Sequence, residues 1–346
     1  MKLSKYCSRL LFVVSLLSFT LVNHAFSGEK DDAWLMKAVQ DRGVKNVQHA
    51  LTSGANPSYA EENGKYHVLE AALWSLFSAD TESETKDAIT IIKILVRAGA
   101  LKSDKELLYL PVAYGSVHMV DYFIKNGANV SSRVDGLTLP EIAIQHSHDD
   151  VYHLLIKEGA VPVSATSAAI LRLNHAASMF NIDAMKMQLS AGADINGITS
   201  NGENPLAAAL KSPELDGKQF LAIEWLLKNK ADPNKISKGI DGELPLNLAI
   251  RLGSYPAKKQ KNSKRAYIAN DIVKILLANG AKVSSVDANG NTPLHIASKM
   301  DHIEAAKTLV KEGAKIMPKN NAGKTPLDLA ESKQMIILLK ASGAKE

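Results

Sequence analysis

Cysteine is almost absent from this sequence of 346 residues, in which Cys7 is the sole example. Cys7 lies in an N-terminal segment that has the pattern of a removable export signal. A mature chain without cysteine cannot form disulfide bonds and has no thiol that could act as a nucleophile. Cys7 also precedes the apolar run of this segment, whereas a lipid-modified cysteine is expected at the end of such a run.

Long apolar runs are missing too, apart from one short run near the N-terminus. Leu10–Val22 contains only apolar and small hydroxyl residues, and its 13 residues would span about 20 Å as a helix, at about 1.5 Å per residue. A bilayer core is roughly 30 Å thick, so this run is short for a membrane anchor. No later segment has an uncharged apolar run of spanning length. The sequence therefore predicts no membrane span after removal of the signal.

The flanks of the apolar run have the order of an export signal. Three cations, Lys2, Lys5 and Arg9, precede it, and Ala25-Phe26-Ser27 follows it. Small residues at positions 25 and 27 suit a signal peptidase. We predict a signal peptide over residues 1–27, cleaved after Ser27, and a periplasmic or secreted mature protein. The alternative is a buried N-terminal helix, but cations followed by an unbroken apolar run are a poor amphipathic pattern.

The sequence also lacks a strong excess of one charge sign. It has 41 Lys+Arg and 36 Asp+Glu, for a net charge of +5. Removing residues 1–27 takes away three cations and no acid, which leaves 38 against 36, or +2. A nearly neutral mature chain gives little support to a nucleic-acid partner, and we predict none.

Motifs of known catalytic sites are not found. The sequence has no His-Glu-x-x-His string and no Gly-x-Ser-x-Gly elbow. Gly323-Lys324-Thr325 is similar to the end of a phosphate-binding loop, but that motif requires glycine where Pro318 stands. We therefore predict no catalytic residue and no cofactor. Only a site dispersed along the chain would remain for an enzyme.

What the sequence does contain is a repeated unit. Eight Gly-Ala pairs, with Lys230-Ala231 in an equivalent place, follow apolar helical stretches at intervals of 45, 28, 32, 33, 38, 50, 33 and 30 residues. A period near 33 with insertions near 78–88, 211–218 and 253–267 accounts for these intervals. The pairs begin at Gly54, Gly99, Gly127, Gly159, Gly192, Gly280, Gly313 and Gly343.

The clearest copy is NGNTPLHIASKMDHIEAAKTLVKEGA, residues 289–314. Asn289-Gly290 suits a tight turn, Thr292 suits a helix cap, and Pro293 suits a first helical turn. An apolar stripe then predicts a second helix, which Gly313 can end in the left-handed conformation. Two helices of this size cannot bury their apolar faces alone, so each copy needs neighbours.

This copy resembles the ankyrin repeat, whose pattern is T-P-L-H-x-A at a period of 33 residues. Similar strings begin at Thr325, Leu244 and Asn204, and a string with its proline one position late begins at Thr138. The resemblance covers essentially residues 30–346 and is weakest at the N-terminal end. It implies an all-α fold, an ankyrin-repeat solenoid of about nine repeats over residues 28–346, with two helices and a hairpin in each.

The stretch HSHDDVYH, residues 146–153, has the residue types of a metal site. In repeat register, however, His148 matches His302, where the family has a histidine between its two helices. Ser147 and Asp301 share the preceding position, which the family usually gives to glycine. Asp149 and Asp150 would open the second helix, where negative charge suits the helix dipole. We therefore interpret the cluster as structural and predict no metal site.

The resemblance also implies a binding face formed by hairpin tips and by the ends of first helices. Met300 and Leu252 would be exposed apolar groups on this face, or would pack on a neighbouring repeat; the sequence leaves both alternatives open. The predicted partner-binding residues are Lys299, Met300, Ala288, Asn289, Arg251, Leu252, Lys238, Ile240, Ser200, Asn201, Lys211, Arg133, Asp135, Gln145 and His146.

The sequence thus predicts a monomeric, non-enzymatic scaffold that binds a protein partner. A second hypothesis is a secreted effector that binds host-cell proteins, and a third is an envelope enzyme with a dispersed site. The basic stretch at 255–265 is either a solvated insertion or a contact with an anionic surface or an import receptor. The last helix, Met335–Leu339, is too apolar for full exposure, so part of it should be covered by the preceding repeat or by a partner.

Overall fold

A computed structural model of the protein describes residues 28–60, 67–100, 107–211, 217–237, 243–252 and 263–345. The predicted signal peptide and residues 253–262 of the basic insertion lie outside these ranges. The described residues are mostly helical, as predicted. Their α-helices are α1 Gly28–Gln40, α2 Val44–Thr52, α3 Val68–Phe77, α4 Glu82–Arg97, α5 Tyr109–Ala113, α6 Val117–Lys125, α7 Leu139–Gln145, α8 Asp149–Lys157, α9 Ala165–Ser178, α10 Ile182–Ser190, α11 Pro205–Lys211, α12 Gly217–Lys228, α13 Pro245–Leu252, α14 Ser263–Ala278, α15 Pro293–Lys299, α16 Ile303–Lys311 and α17 Lys333–Ala341.

The described residues form two compact units, which are divided between residues 102 and 103. In the first, α1 packs on α2 and α3 packs on α4, while α1 also packs on α3 and α2 on α4. In the second, each odd-numbered helix from α5 to α15 packs on the even-numbered helix that follows it, and each from α5 to α13 also packs on the next odd-numbered helix. We call the odd-numbered helices from α1 to α15 first helices, and the even-numbered helices together with α17 second helices.

The first helices α7, α9 and α15 begin where the sequence supplies a side-chain cap. The Thr292 hydroxyl accepts from His295 N, and His295 Nδ1 accepts from Thr292 N at 3.1 Å, so the two ends of this turn cap each other. Thr138 and Glu141 form the same reciprocal pair at the start of α7. The late proline in that copy does not disturb the cap, because Pro140 still lies in the first turn, whose amides need no helical acceptor.

One residue with a positive φ separates the two helices of several pairs. The register predicts this conformation, because Ser147 and Asp301 stand where the family has glycine, and their φ angles are 61° and 54°. His148 and His302 follow them, and both are N-caps of second helices, as their shared register predicts. The same position is occupied by Arg42, Gly115 and Phe180, with φ of 54°, 70° and 55°.

Hairpins are less regular than the helices. Over the described residues, paired strands occur as β1 Arg133–Val134 and β2 Leu137–Thr138, which are antiparallel, besides one isolated bridge between Ala60 and His67. The copy of α9 has no hairpin, because α9 has 14 residues and begins at Ala165, only six residues after Gly159. The prediction of a hairpin in this copy is therefore wrong.

The insertion near 78–88, which is rich in acidic residues, is mostly helical and does not form a loop between helices. Most of the stretch at 80–87 forms the first turns of α4, a helix of 16 residues that is capped by Thr81. Glu82 and Glu84 lie in the first turn, where the helix dipole favours negative charge. Extra residues in this copy therefore lengthen its second helix.

The last copy is shortened in its first helix. Leu327–Leu329 forms a single 3₁₀ turn, and α17 follows after Ser332, whose hydroxyl accepts from Met335 N at 3.1 Å. Met335 and Leu339 are fully buried in the core of the second unit, in contact with the preceding copy. The prediction that part of this apolar helix is covered by the preceding repeat is confirmed.

Candidate partner-binding face

Three consecutive first helices carry a cation at the same position near their C-terminal end. Lys211, Arg251 and Lys299 hold this position in α11, α13 and α15. Lys211 Nζ lies 3.1 Å from Glu203 Oε1, and Arg251 Nε lies 2.6 Å from Glu243 Oε1. Each acid lies two residues before its helix, so each ion pair joins the hairpin base to the helix end. Two of the three predicted cations are therefore held and neutralised by the protein itself.

Lys299 differs from its two equivalents. The matching residue before α15 is Asn291, which carries no charge, and the Lys299 side chain is exposed. Asn291 Nδ2 instead donates to Asp287 Oδ2 at 3.1 Å within the hairpin. Among the described residues, Lys299 has no ion-pair partner, so its ammonium group can meet an acidic group of a partner.

The two apolar residues predicted at this face are mostly covered. Leu252 is only 7% exposed and belongs to the core of the second unit, and Met300 packs against the same core while remaining partly accessible. Packing on neighbouring repeats is therefore the correct alternative for Leu252. The expectation that it is exposed is wrong, because the first helix behind it, α11, packs directly on α13.

The hairpin before α15 is bound to the next hairpin through its backbone. Asn321 N donates to Asn289 O at 3.0 Å, and Asn321 Nδ2 donates to Ala288 O at 3.2 Å. The side chains of Ala288 and Asn289 are exposed. The next hairpin therefore holds the backbone of these two predicted residues, while their side chains remain exposed to solvent. Lys238 and Ile240, predicted on the preceding hairpin, lie outside the described residues.

Arg133 and Asp135 lie on the β1–β2 hairpin, and both are exposed. Asp135 and Gly136 have φ of 48° and 82°, which is the geometry of a tight two-residue hairpin turn. Arg133 Nη1 donates to Gly136 O at 2.8 Å and closes the turn. The conformation of this turn therefore explains why an aspartate stands at position 135, without a role in binding.

Ser200 and Asn201 are engaged by this same hairpin and its helix. The Ser200 hydroxyl donates to Glu141 Oε1, and a Cβ on Gly136 would meet Asn201 Cα at 3.2 Å. The contact passes over the copy of α9, which has no hairpin of its own to separate them. Ser200 and Asn201 therefore hold two hairpins together and are poor candidates for direct partner contact.

Gln145 and His146 lie at the end of α7 and are partly buried. The His146 ring is stacked 6.2 Å from the His148 ring and meets the His175 ring edge-on at 4.9 Å. His148 Nε2 is also 2.9 Å from Ala113 O, to which it can donate. A chain of three imidazoles thus links the copies of α5, α7 and α9.

Burial keeps two of these histidines neutral. Desolvation, followed by the neighbouring His175 and His148 rings, lowers the pKa of His146 to about 4. Desolvation and His148 also lower the pKa of His175. In the part of the chain that the structure describes, no group of three or more His, Cys, Asp or Glu is arranged to hold a metal ion. His148 is held by its contact with Ala113 O, and His146 by its contacts with the His148 and His175 rings.

Two residues of this face were missed by the sequence interpretation. Tyr114 and Met179 are the C-caps of α5 and α9, the position of His146 and Met300, and they are 36% and 47% exposed. Their copies lack the T-P-L-H string, which hid the register. The signal was nevertheless present, because each precedes the positive-φ residue and N-cap that separate the paired helices.

The surface of the second helices is different, because its charges pair along the same helix. Lys186 Nζ is 3.2 Å from Asp183 Oδ1, and Lys307 Nζ is 2.8 Å from Glu304 Oε1. Such exposed pairs contribute only about 0.2–1 kcal/mol. This surface is a solvated face and serves as a control for experiments on the first-helix ends.

None of the helices in the described part of the chain combines the length and apolar character that crossing a membrane requires.

Comparison with known proteins identifies the repeated unit. Residues 265–345 match a family profile described as ankyrin repeats, in three copies. The chain is 26% identical over 206 residues to the E3 ubiquitin-protein ligase KEG of Arabidopsis thaliana, a match that covers 58% of this chain and 12% of that protein. It is 24% identical over 241 residues to the "Putative palmitoyltransferase ZDHHC13" of Danio rerio, covering 68% of this chain and 34% of that protein. It therefore spans a minor part of either relative. Residues 265–345 of this chain therefore carry three ankyrin repeats.

Proposed function

We propose that this protein is a non-enzymatic scaffold for protein–protein interaction, with about nine ankyrin repeats stacked as a solenoid. One observation carries the proposal: first helices present exposed side chains at their C-terminal ends, namely Tyr114 and Met179 at the C-caps of α5 and α9, and Lys299 in the last position of α15. Neighbouring helices lie about 8–10 Å apart, so exposed groups at several helix ends offer a partner several contacts. Tyrosine and methionine are also residue types enriched at protein interfaces.

The proposal includes export and a monomeric state. Its support for export is the order of cations, apolar run and small residues over 1–27. The ligase and palmitoyltransferase activities in the relatives' names belong to proteins of which this chain spans 12% and 34%, so they do not carry over. An effector that acts on host-cell proteins would use the same face after release.

Site-specific photo-crosslinking tests the binding face in the native cell and its surroundings. A benzophenone amino acid replaces Tyr114, Met179 or Lys299 in three variants, and Lys186 or Lys307 on the second helices in two controls. We expect the same partner protein to be crosslinked from at least two first-helix positions and from neither control. Equal crosslinking from all five positions, or none from the first-helix ends, would contradict a partner on this face.

The size of the mature protein tests export in the same cells. Cleavage after Ser27 predicts a mature chain that begins at Gly28. Mass spectrometry of the purified protein should give this N-terminus, and fractionation should place the chain outside the cytoplasm. A chain that retains residues 1–27 in the cytoplasm would contradict the signal peptide.

A further inference from the structure

The ends of the first helices divide into two halves of different chemistry. In α5, α7 and α9, the position equivalent to Lys299 holds Ala113, Gln145 and Ser178, none of which is charged. In α11, α13 and α15 the same position is always a cation. The following position is uncharged in both halves: it is Tyr114, His146 and Met179 in the first three helices, and Leu252 and Met300 in α13 and α15. Uncharged residues therefore occupy both positions over three consecutive copies.

These three copies form a continuous surface. α5 packs on α7, and α7 packs on α9. His148 Nε2 lies 2.9 Å from Ala113 O, and the His146 and His175 rings are 4.9 Å apart. We define the uncharged zone as Tyr114, His146, His175 and Met179. Tyr114 and Met179, 36% and 47% exposed, lie at its two ends.

Two acidic side chains of these copies already have partners within the protein. Asp149 Oδ1, at the start of α8, is 3.2 Å from Arg172 Nη2 on α9. Glu141 on α7 accepts from the Thr138 and Ser200 hydroxyls. Neither group is left to bind a charge on a partner.

Electrostatics then select the partner's chemistry. A charged side chain placed on the uncharged zone would lose water and find no opposite charge among the four side chains that define the zone, which is unfavourable. An aliphatic or aromatic side chain would instead leave water, which is favourable for an apolar group. It would also gain contact with Tyr114 and Met179. The cationic half cannot compensate strongly, since Glu203 and Glu243 neutralise two of its three cations.

We propose that the uncharged zone is the principal contact of the partner, and that it binds an uncharged segment with aliphatic or aromatic side chains. This inference rests on the proposed binding function and specifies the partner's chemistry. Binding should depend little on salt, because screening weakens contacts between charges and leaves apolar contacts intact.

Selection from a random peptide library displayed on phage tests the partner's chemistry with the mature chain as bait. Enriched peptides are synthesised and their Kd measured with the natural protein and three double variants. The first variant is Tyr114→Ser with Met179→Ser in the uncharged zone. The matched control is Lys186→Ser with Lys307→Ser on the second helices, and Lys211→Ser with Lys299→Ser tests the cationic half. Thermal unfolding of every variant checks folding, and the single Met179→Ser variant is used if the first double variant melts early.

The expected peptides are apolar and aromatic, and their Kd rises at least tenfold with the first variant but less than twofold with the control. Their Kd should also change less than twofold between 0.05 and 0.5 M NaCl. Acidic peptides that depend on salt and on Lys211 or Lys299 would overturn this inference and leave the proposed function standing. Peptides that bind both the uncharged-zone variant and the cationic-half variant normally, or no enrichment at all, would contradict both proposals.

Self-association is tested with the same variants. Sedimentation equilibrium of the natural chain should give a monomer at micromolar concentration. A dimer that dissociates in the Tyr114→Ser, Met179→Ser variant would show that a second copy occupies the zone, and would overturn a foreign partner segment.

Discussion

The His148 ring lies against the backbone of Gly115, one copy earlier in the chain. A Cβ at residue 115 would stand 2.5 Å from His148 Nδ1 and 2.7 Å from its Cε1. The ring cannot move away cheaply, because its Nε2 is 2.9 Å from Ala113 O. Gly115 also has φ of +70°, which side chains adopt at a cost.

Gly115→Ala should therefore lower the free energy of unfolding by about 2–5 kcal/mol, from the left-handed conformation and from overpacking. The matched control is Gly127→Ala, with φ of +97° and open space around its Cβ. The control should cost only about 1–2 kcal/mol. Urea unfolding of both variants measures the difference, and equal losses would show that His148 does not constrain this position.

Ser147→Gly should act in the opposite direction. Ser147 is exposed and has φ of 61°, a conformation that glycine adopts without the steric cost of a Cβ. We expect a gain of about 0.5–1 kcal/mol, because the greater entropy of unfolded glycine offsets part of the relief.

Ser53→Gly is the control for Ser147→Gly. Ser53 is also exposed at the end of a helix, but its φ is −80°, so no strain is relieved. Glycine there should be neutral or destabilising in urea unfolding. If both variants gained stability, the left-handed backbone at 147 would not be the cause.

Position 147 shows which part of the fold could be predicted from the sequence. The Gly-Ala pairs fixed the register, and the register placed Ser147 and Asp301 in a glycine position, which their φ of 61° and 54° confirms. The helical fold and the buried Met335 and Leu339 followed from apolar spacing. These are local or periodic properties, which a single sequence carries.

The binding face was less predictable because it depends on contacts between copies. The sequence did not show that Glu203 and Glu243 would hold two of the predicted cations, or that α11 would help bury Leu252. It also gave no sign that α9 would extend into the place of a hairpin and let Ser200 reach Glu141. These contacts between copies follow from packing in three dimensions, which the period of the sequence does not encode.

Asn196 and Asn234 each join two successive copies through a pair of side-chain hydrogen bonds. Asn196 Nδ2 donates to Lys230 O at 3.1 Å, and its Oδ1 accepts from Asp232 N at 2.7 Å. Asn234 repeats this bidentate contact with Gly280 O and Lys282 N. Asn196→Ala should cost about 1–3 kcal/mol, because two backbone groups lose their partner.

Asn229→Ala is the matched control, since Asn229 Nδ2 donates only within its own helix end, to Trp225 O at 2.8 Å. Its loss should be smaller, about 0.5–1 kcal/mol. Hydrogen exchange should in addition show faster exchange at Asp232 N in Asn196→Ala alone. Unchanged protection at Asp232 would mean that water replaces the asparagine at no cost.

Acid should destabilise the second unit through its histidines. The pKa of His146 is lowered to about 4 in the folded chain, against about 6.5 unfolded. The unfolded chain therefore binds more protons between these values, and the free energy of unfolding falls as pH drops from about 6.5 to about 4. The loss from His146 reaches about 3 kcal/mol at the acid end, and His175 acts in the same direction.

His146→Gln should flatten this dependence when Tm is followed from pH 7.5 to 4. The control His118→Gln removes an exposed imidazole and should leave the slope as it is in the natural chain. An identical slope in all three proteins would show that the His146 environment does not set the acid response.

The terminal helix α17 provides the last test, because one turn contains both buried and exposed apolar residues. Leu339 is fully buried, whereas Ile337 is 67% exposed. Ile337 also stands where the earlier second helices carry polar residues, namely Gln48, Lys93, Asp121, His153, Lys186, Glu224, Lys274 and Lys307. Leu339→Ala should cost about 2–5 kcal/mol through lost burial and a cavity, while Ile337→Lys should change stability by less than about 0.5 kcal/mol.

Deleting residues 325–346 extends this comparison to the whole last copy. It would uncover the apolar side of α16 that Met335 and Leu339 cover, so we expect lower solubility and a less cooperative melt. A truncated chain that melts as sharply as the intact one would mean that the preceding copies do not need this cap. If Ile337→Lys lowered Tm as much as Leu339→Ala, the exposed side of α17 would be packed in solution, contrary to the 67% exposure of Ile337.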